Sequence, residues 1–133
     1  MSPPILVVED DPELLAGLAS LLEAEGYRVR CARHGLEALG ILRVGPLPRV
    51  ILLDLMMPIM NGWQFRHEQR MDSELSKIPV IVISARTDVP AHAQWLEADG
   101  YLVKPIQPGT LLNAIEPFCR PPENSPGPLG GPL

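Results

Sequence analysis

The chain has 133 residues, 46% of them apolar and 20% charged. That balance suits one globular domain with a real core and excludes a fibrous or largely disordered chain. Net charge is −5, from 11 basic and 16 acidic residues with no basic stripe, which argues against direct nucleic-acid binding.

The first element is Ile5-Leu6-Val7-Val8, a continuous apolar run that predicts a strand buried on both faces. Asp11 then caps a helix with Pro12 at its first position, and Leu14, Leu15, Leu18, Leu21 and Leu22 form one stripe. Gly26 stops it. Residues 27–31 alternate, as an edge strand wetted on one face would. A second helix is expected from Gly35 to Arg43, with Leu36, Leu39 and Leu42 inward. Val50-Ile51-Leu52-Leu53 is a buried strand ending in Asp54. A third helix runs from about Gly62 to Met71. Pro79 to Ile83 is a strand ending in Ser84, followed by a weaker helix over about Ala91 to Ala98. Tyr101-Leu102-Val103 ends in Lys104-Pro105, and a last helix spans Pro108 to Glu116, halted near Pro117.

Strands alternating with helices predict an α/β fold, a (βα)5 doubly wound parallel sheet covered on both sides. Residues 1–119 form the domain. Residues 120–133 hold five of the sixteen prolines among glycines and read as a flexible tail, either a linker or a docking tail. Cys31 and Cys119 have no metal-ligand spacing and are expected to be half-buried thiols. His34, His67 and His92 are isolated, with no zinc-like spacing. Core burial is the default for Trp63 and Trp95, with a partner surface as the alternative. No run nears the ~20 apolar residues that span a bilayer. The start, Met1-Ser2-Pro3-Pro4, lacks a basic region before the apolar run, so the expectation is a cytoplasmic protein without a secretory signal or membrane insertion.

Open parallel sheets gather functional groups beyond the carboxyl ends of their strands. Here those ends carry Glu9-Asp10, Asp54, Ser84 and Lys104. Clustered carboxylates repel one another and raise each other's pKa unless a cation intervenes. Mg2+ prefers such oxygen ligands and bridges phosphoryl oxygens. A lysine and a hydroxyl can engage a phosphoryl group, and aspartate can accept one as an acyl phosphate. The set is suited to moving a phosphoryl group onto Asp54. Lys104 is one of only two lysines in the chain, which favours a specific role over a solvated side chain. The plain alternatives are a helix cap for Glu9-Asp10 and an ordinary strand end for Asp54 and Ser84.

The segments ILVVEDDPELL, VILLDLMMPIMNGWQF, IPVIVISA and DGYLVKPI, in this order, resemble a response-regulator receiver domain over about residues 4–118. The resemblance implies a flavodoxin-like sheet with strand order 2-1-3-4-5. It makes Glu9 and Asp10 the acidic pair, Asp54 the phosphoacceptor, and Met56 the donor of a backbone carbonyl to Mg2+. Ser84 takes the Ser/Thr switch position, Tyr101 the aromatic switch position and Lys104 the phosphate-binding role. Pro105 follows Lys104 and is commonly cis in this family; Pro58 and Gly62 match its loop after the phosphoacceptor. Asp11 is expected to cap and not to ligate.

A receiver implies a sensor histidine kinase or phosphotransfer protein as donor, a downstream protein partner and, potentially, a phosphorylation-linked dimer. It regulates and is not a metabolic enzyme. Within these residues a stand-alone regulator fits best, with a fragment of a longer chain as runner-up. Met56 and Arg86, two residues beyond Asp54 and Ser84, predict slow self-dephosphorylation.

Two departures concern the fourth helix. Glu97 stands where the family usually has glycine, and the segment between Ser84 and Tyr101 is about two residues short. A shortened or distorted fourth helix is expected, and it favours a rival reading as a phosphorylation-independent scaffold. A Mg2+-dependent phosphatase is the third reading. Such enzymes usually place a second acid two residues after the nucleophile, where this chain has Met56.

Overall fold

A computed structural model describes residues 2–85 and 89–119, apart from the side chains of Val89, Pro90 and Trp95. The elements, in order, are β1 (Ile5–Val8), α1 (Pro12–Ala24), β2 (Val29–Ala32), α2 (Gly35–Val44), β3 (Val50–Asp54), α3 (Gly62–Arg70), β4 (Val80–Ser84), α4 (Val89–Trp95), β5 (Gly100–Val103) and α5 (Pro108–Cys119). The five strands are ordered β2-β1-β3-β4-β5 and all pair in parallel. The flavodoxin-like α/β fold is therefore as the sequence implies. Arg86 and the tail over 120–133 lie outside the described residues, as does the burial of Trp95.

The sheet splits its side chains by the period of two. Leu6, Val8, Ile51, Leu53, Val80 and Val82 point to one face and pack with Leu39, Leu42, Phe65 and Leu96 of the α2, α3 and α4 side. Ile5, Val7, Val50, Leu52, Ile81 and Ile83 point to the other and meet Leu15, Leu18, Leu22, Leu111 and Ile115 of α1 and α5. Each such buried aliphatic side chain contributes about 1.5–3 kcal/mol of transfer free energy. Asp11 caps α1 through Oδ1, which accepts the Glu13 and Leu14 amides at 3.0 and 3.4 Å. Gly26, at φ +92°, turns the chain beyond α1.

Several expectations are corrected. Leu36 is 51% exposed: as the second residue of α2 it sits ahead of the Ala38, Leu39 and Leu42 face that meets the sheet. β2 starts at Val29 and shows no clean alternation. Pro117 lies inside α5, which is described as far as Cys119; its missing N–H forfeits a single bond, to Asn113. Cys31 is exposed and Cys119 half-buried, and both are free. α4 starts and ends earlier than read and has seven residues, consistent with the expected shortening. A 3-10 turn at Leu75–Lys77 was not foreseen.

Polar straps bind distant segments. The Arg49 guanidinium donates to the carbonyls of Pro3 and Cys119 at 2.9 and 2.8 Å, tying both ends of the domain to β3. Arg66 and Gln69 of α3 are buried. Arg66 donates from Nε to the Leu96 carbonyl at 3.0 Å, and from its two terminal nitrogens to the Glu97 carbonyl and to Gln69 Oε1, both at 2.8 Å. The Gln69 amide donates in turn to the carbonyls of Leu75 and Ile78. Glu97 has φ +55°, the left-handed backbone that glycine takes more readily. The Arg66 strap holds the backbone carbonyl of this left-handed residue. Burial, then the charge of Arg70, push the Arg66 pKa down against the pull of Asp99 and Glu97.

Candidate functional site

The carboxyl ends of β1, β3, β4 and β5 converge on one edge of the sheet. β1 and β3 are neighbours, which places Glu9 and Asp10 beside Asp54. Carboxylate oxygens of all three lie within 4.8 Å of one another. Glu9 and Asp54 are buried, at 0% and 2% exposure, while Asp10 is open to solvent. Glu9 Oε2 accepts the Asp11 amide at 3.1 Å. Its Oε1 is buried and ion-paired with the Lys104 ammonium at 2.9 Å. Asp54 Oδ1 accepts the Met56 amide at 3.3 Å and lies 3.6 Å from Lys104 Nζ.

This electrostatic arrangement has an excess of negative charge for its burial. Desolvation first, and the nearby Glu9 carboxylate second, raise the Asp54 pKa to about 7; Lys104 and the Met56 amide oppose them. Burial alone would lower Lys104, but the carboxylates of Glu9, Asp54 and Asp10 outweigh it and hold the ammonium above its ordinary value. A hard dication fits what is present. Three carboxylates converge within 4.8 Å, and an open side at Asp10 leaves room for water ligands.

Ser84 is buried at the end of β4, one residue beyond Ile83, the register partner of Asp54. Its carbonyl accepts the Lys104 amide at 2.9 Å. The structure thus gathers Glu9, Asp10, Asp54 and Lys104 by measured proximity and sets Ser84 on the adjoining strand end. Met56 lies in the following loop with its side chain 55% exposed. Tyr101 stands apart: it pairs with Val82 in register and is 47% exposed. Asp11 caps α1, as expected. The Lys104–Pro105 bond is cis.

The loop after Asp54 is tightly built. Met60 donates to the Pro58 carbonyl at 2.7 Å across Ile59, whose φ of +69° makes a strained γ-turn. Gly62 then starts α3 against the end of β3. A Cβ there would meet the Asp54 carbonyl oxygen at 2.7 Å and Leu55 Cα at 2.8 Å. Gly62→Ala should therefore push the α3 start away from Asp54 and cost about 1–3 kcal/mol. A thermal melt checks it; an unchanged midpoint would refute the contact.

The response regulator receiver domain profile matches residues 5–116. Protein PilH of Pseudomonas aeruginosa is 35% identical over 114 residues, covering 84% of this chain and 93% of that protein. The DNA-binding response regulator MtrA of Mycolicibacterium smegmatis is 36% identical over 124 residues, 92% of this chain but only 53% of MtrA. Among solved structures, the chemotaxis protein CheY4 of Vibrio cholerae superposes with a TM-score of 0.80 at 29% identity, covering 89% of this chain and 99% of that one. A response regulator from Chloroflexus aurantiacus superposes with a TM-score of 0.81 at 27% identity, covering 89% and 98%. The chain belongs to the response regulator receiver domain family, whose members are regulatory signalling domains. Among the described residues no helix is long and apolar enough to cross a membrane.

Proposed function

We propose that the chain is a phosphorylation-dependent switch that accepts a phosphoryl group on Asp54, with Mg2+ held by Glu9, Asp10, Asp54 and the Met56 carbonyl. The observation that carries this reading is the Asp54 carboxylate lying within 4.8 Å of two further carboxylates and 3.6 Å from the Lys104 ammonium. The donor is a histidine kinase or phosphotransfer protein. An Asp54 oxygen attacks the phosphorus of a phosphohistidine. The O–P bond forms as the P–N bond breaks, and the leaving imidazole nitrogen keeps the electron pair and takes a proton from water. The bound cation supplies charge neutralisation for the carboxylates and the phosphoryl oxygens.

Lys104, already drawn toward Glu9 and Asp54, shifts its ammonium to a phosphoryl oxygen, and the Ser84 hydroxyl donates to another. Phosphorylation brings a new charge of about −1.5 to −2, the differential contact that a population shift needs. Ser84 and Tyr101 follow it, and the surface offered to a downstream protein changes. Intact mass spectrometry of the chain with a small phosphodonor tests this. One phosphoryl adduct that requires Mg2+ and is absent from Asp54→Asn is expected. No adduct on folded protein would overturn the reading.

A further inference from the structure

The loop after Asp54 is held from outside at one backbone atom. Its base is closed beside the sheet: the Leu55 amide donates to the Ile83 carbonyl at 3.3 Å, and the Gly62 amide to the Leu55 carbonyl at 3.0 Å. Between these bonds run Met56 to Asn61, with Met56, Pro58 and Ile59 exposed. Among the described residues, one backbone hydrogen bond reaches residues 56–60 from another element. Its donor is the Gly35 amide, and its acceptor is the Met60 carbonyl at 2.9 Å.

Gly35 is the first residue of α2, and its amide is one of the donors that a helix start leaves without an intrahelical partner. Other donors there are met locally. His34 Nδ1 accepts the Glu37 amide at 3.2 Å, and Glu37 Oε1 accepts the Arg33 amide at 2.6 Å. Gly35 is buried, and a Cβ on it would meet Met60 Cγ at 2.7 Å, Sδ at 2.9 Å and the carbonyl oxygen at 3.0 Å. Among the described glycines, positive φ occurs at Gly26 and Gly45 and not here. The position therefore requires the missing side chain, not a glycine backbone. Met60 in turn packs its partly buried side chain against the core.

This clasp spans the carboxylate cluster. β1 lies between β2 and β3 in the sheet, α2 follows β2, and the loop follows β3. The clasp thus joins the two connections that flank the Glu9-Asp10 end of β1. It also bears on Met56, whose amide donates to Asp54 Oδ1 at 3.3 Å. Pro58 and the γ-turn at Ile59 leave little slack between Met56 and Met60. We propose that Gly35 is a positioning residue for the cation site. Acting through Met60, it fixes the loop whose Met56 carbonyl is to bind Mg2+. This role rests on the switch reading above, and it gives α2, which supplies no ligand, a share of the cation affinity. Groups that orient ligands from behind set metal affinity by about ten- to a hundredfold.

The test titrates the full chain with Mg2+ by calorimetry at pH 8 and follows the Met56 amide resonance before any cation is added. Gly35→Ala should shift that resonance and weaken Mg2+ binding about tenfold. Adding Met60→Ala removes the Cγ and Sδ that the new Cβ meets, and should restore binding to within about threefold of the native chain. Gly35→Pro in the Met60→Ala background suits the first position of a helix but removes the donor, and should weaken binding again. That pair decides the matter if Gly35→Ala alone does not fold. Ile115→Val, in the core under α5, should lower the melting midpoint yet leave Mg2+ affinity within about twofold. Native affinity in Gly35→Ala, a loss that Met60→Ala does not relieve, or an equal loss in Ile115→Val would overturn the proposal. A native chain that takes up neither Mg2+ nor a phosphoryl group would overturn the switch reading and the cation role with it. The cation-free Met56 resonance separates the two failures: unmoved by Gly35→Ala, it would overturn the clasp by itself.

Discussion

Asp54→Asn should stabilise the cation-free protein at pH 8, by on the order of 2–4 kcal/mol. The cause is the raised Asp54 pKa, about 7 against an ordinary 3.8, set by burial and by Glu9. Between those values the folded chain holds a proton that the unfolded chain has released. Stability is therefore fully present below about pH 4, falls as pH rises toward 7, and is flat above. The Asn variant carries no charge there and should lack this slope. Urea unfolding from about pH 5 to pH 8 with a chelator present measures it. Equal stability of the two proteins at pH 8 would show that Lys104 alone neutralises the cluster. The same proton competes with a cation. Apparent Mg2+ affinity should thus rise with pH and level off above about 7, by up to about tenfold per unit below it. Added Mg2+ should narrow the stability gap between native chain and variant at pH 8, because it stabilises only the protein that binds it well.

The second large effect is expected far from that site. Arg66→Ala removes the donor for the Leu96 and Glu97 carbonyls and for Gln69 Oε1. Leaving a buried acceptor without a partner costs about 1–3 kcal/mol. Water entering the space beside Arg70 relieves part of this, so a net loss of about 3 kcal/mol is expected, a fall of roughly 10 °C in Tm. Arg66→Lys should recover less than half, since one ammonium does not reproduce the planar fork. Glu97→Gly gives an internal check. Glycine accepts φ +55° without the Cβ penalty, and the Arg70–Glu97 pair it removes is exposed. It should be neutral or stabilising by about 0.5–1 kcal/mol in the native background. It should also offset part of the Arg66→Ala loss. A melt of Arg66→Ala within about 2 °C of the native chain would show that the strap is dispensable.

The centre of the sheet was legible because β1, β3 and β4 are buried on both faces. Their short continuous apolar runs lead into Glu9, Asp54 and Ser84, residues that burial alone would not select. Lys104 stands out instead as one of two lysines in the chain. The polar interior of α3 was illegible for the complementary reason. Arg66 and Gln69 are paired with carbonyls and a 3-10 turn supplied by other segments, up to 31 residues away. Nothing local distinguishes them from solvated side chains, so α3 reads as weakly amphipathic. Pro117 was misread because one proline removes a single helix bond and can be carried inside a helix without ending it. The left-handed Glu97 was anticipated only through resemblance, since a glycine is usual at that position.

The strap has a consequence for how such chains can change over generations. Glu97, Arg66 and Gln69 are satisfied by one another's backbone and side-chain groups. An Arg66 introduced beside an apolar neighbour at position 69 would lose a partner for its charge. A Gln69 without Arg66 would keep a buried carbonyl oxygen unmet. Position 97 supplies only a backbone carbonyl to Arg66, so any residue there keeps the bond. Single-step exchange is penalised at positions 66 and 69, whereas exchange of the pair is not. Arg66 and Gln69 should therefore be gained or lost together, as one heritable unit linking the third helix to the end of the fourth.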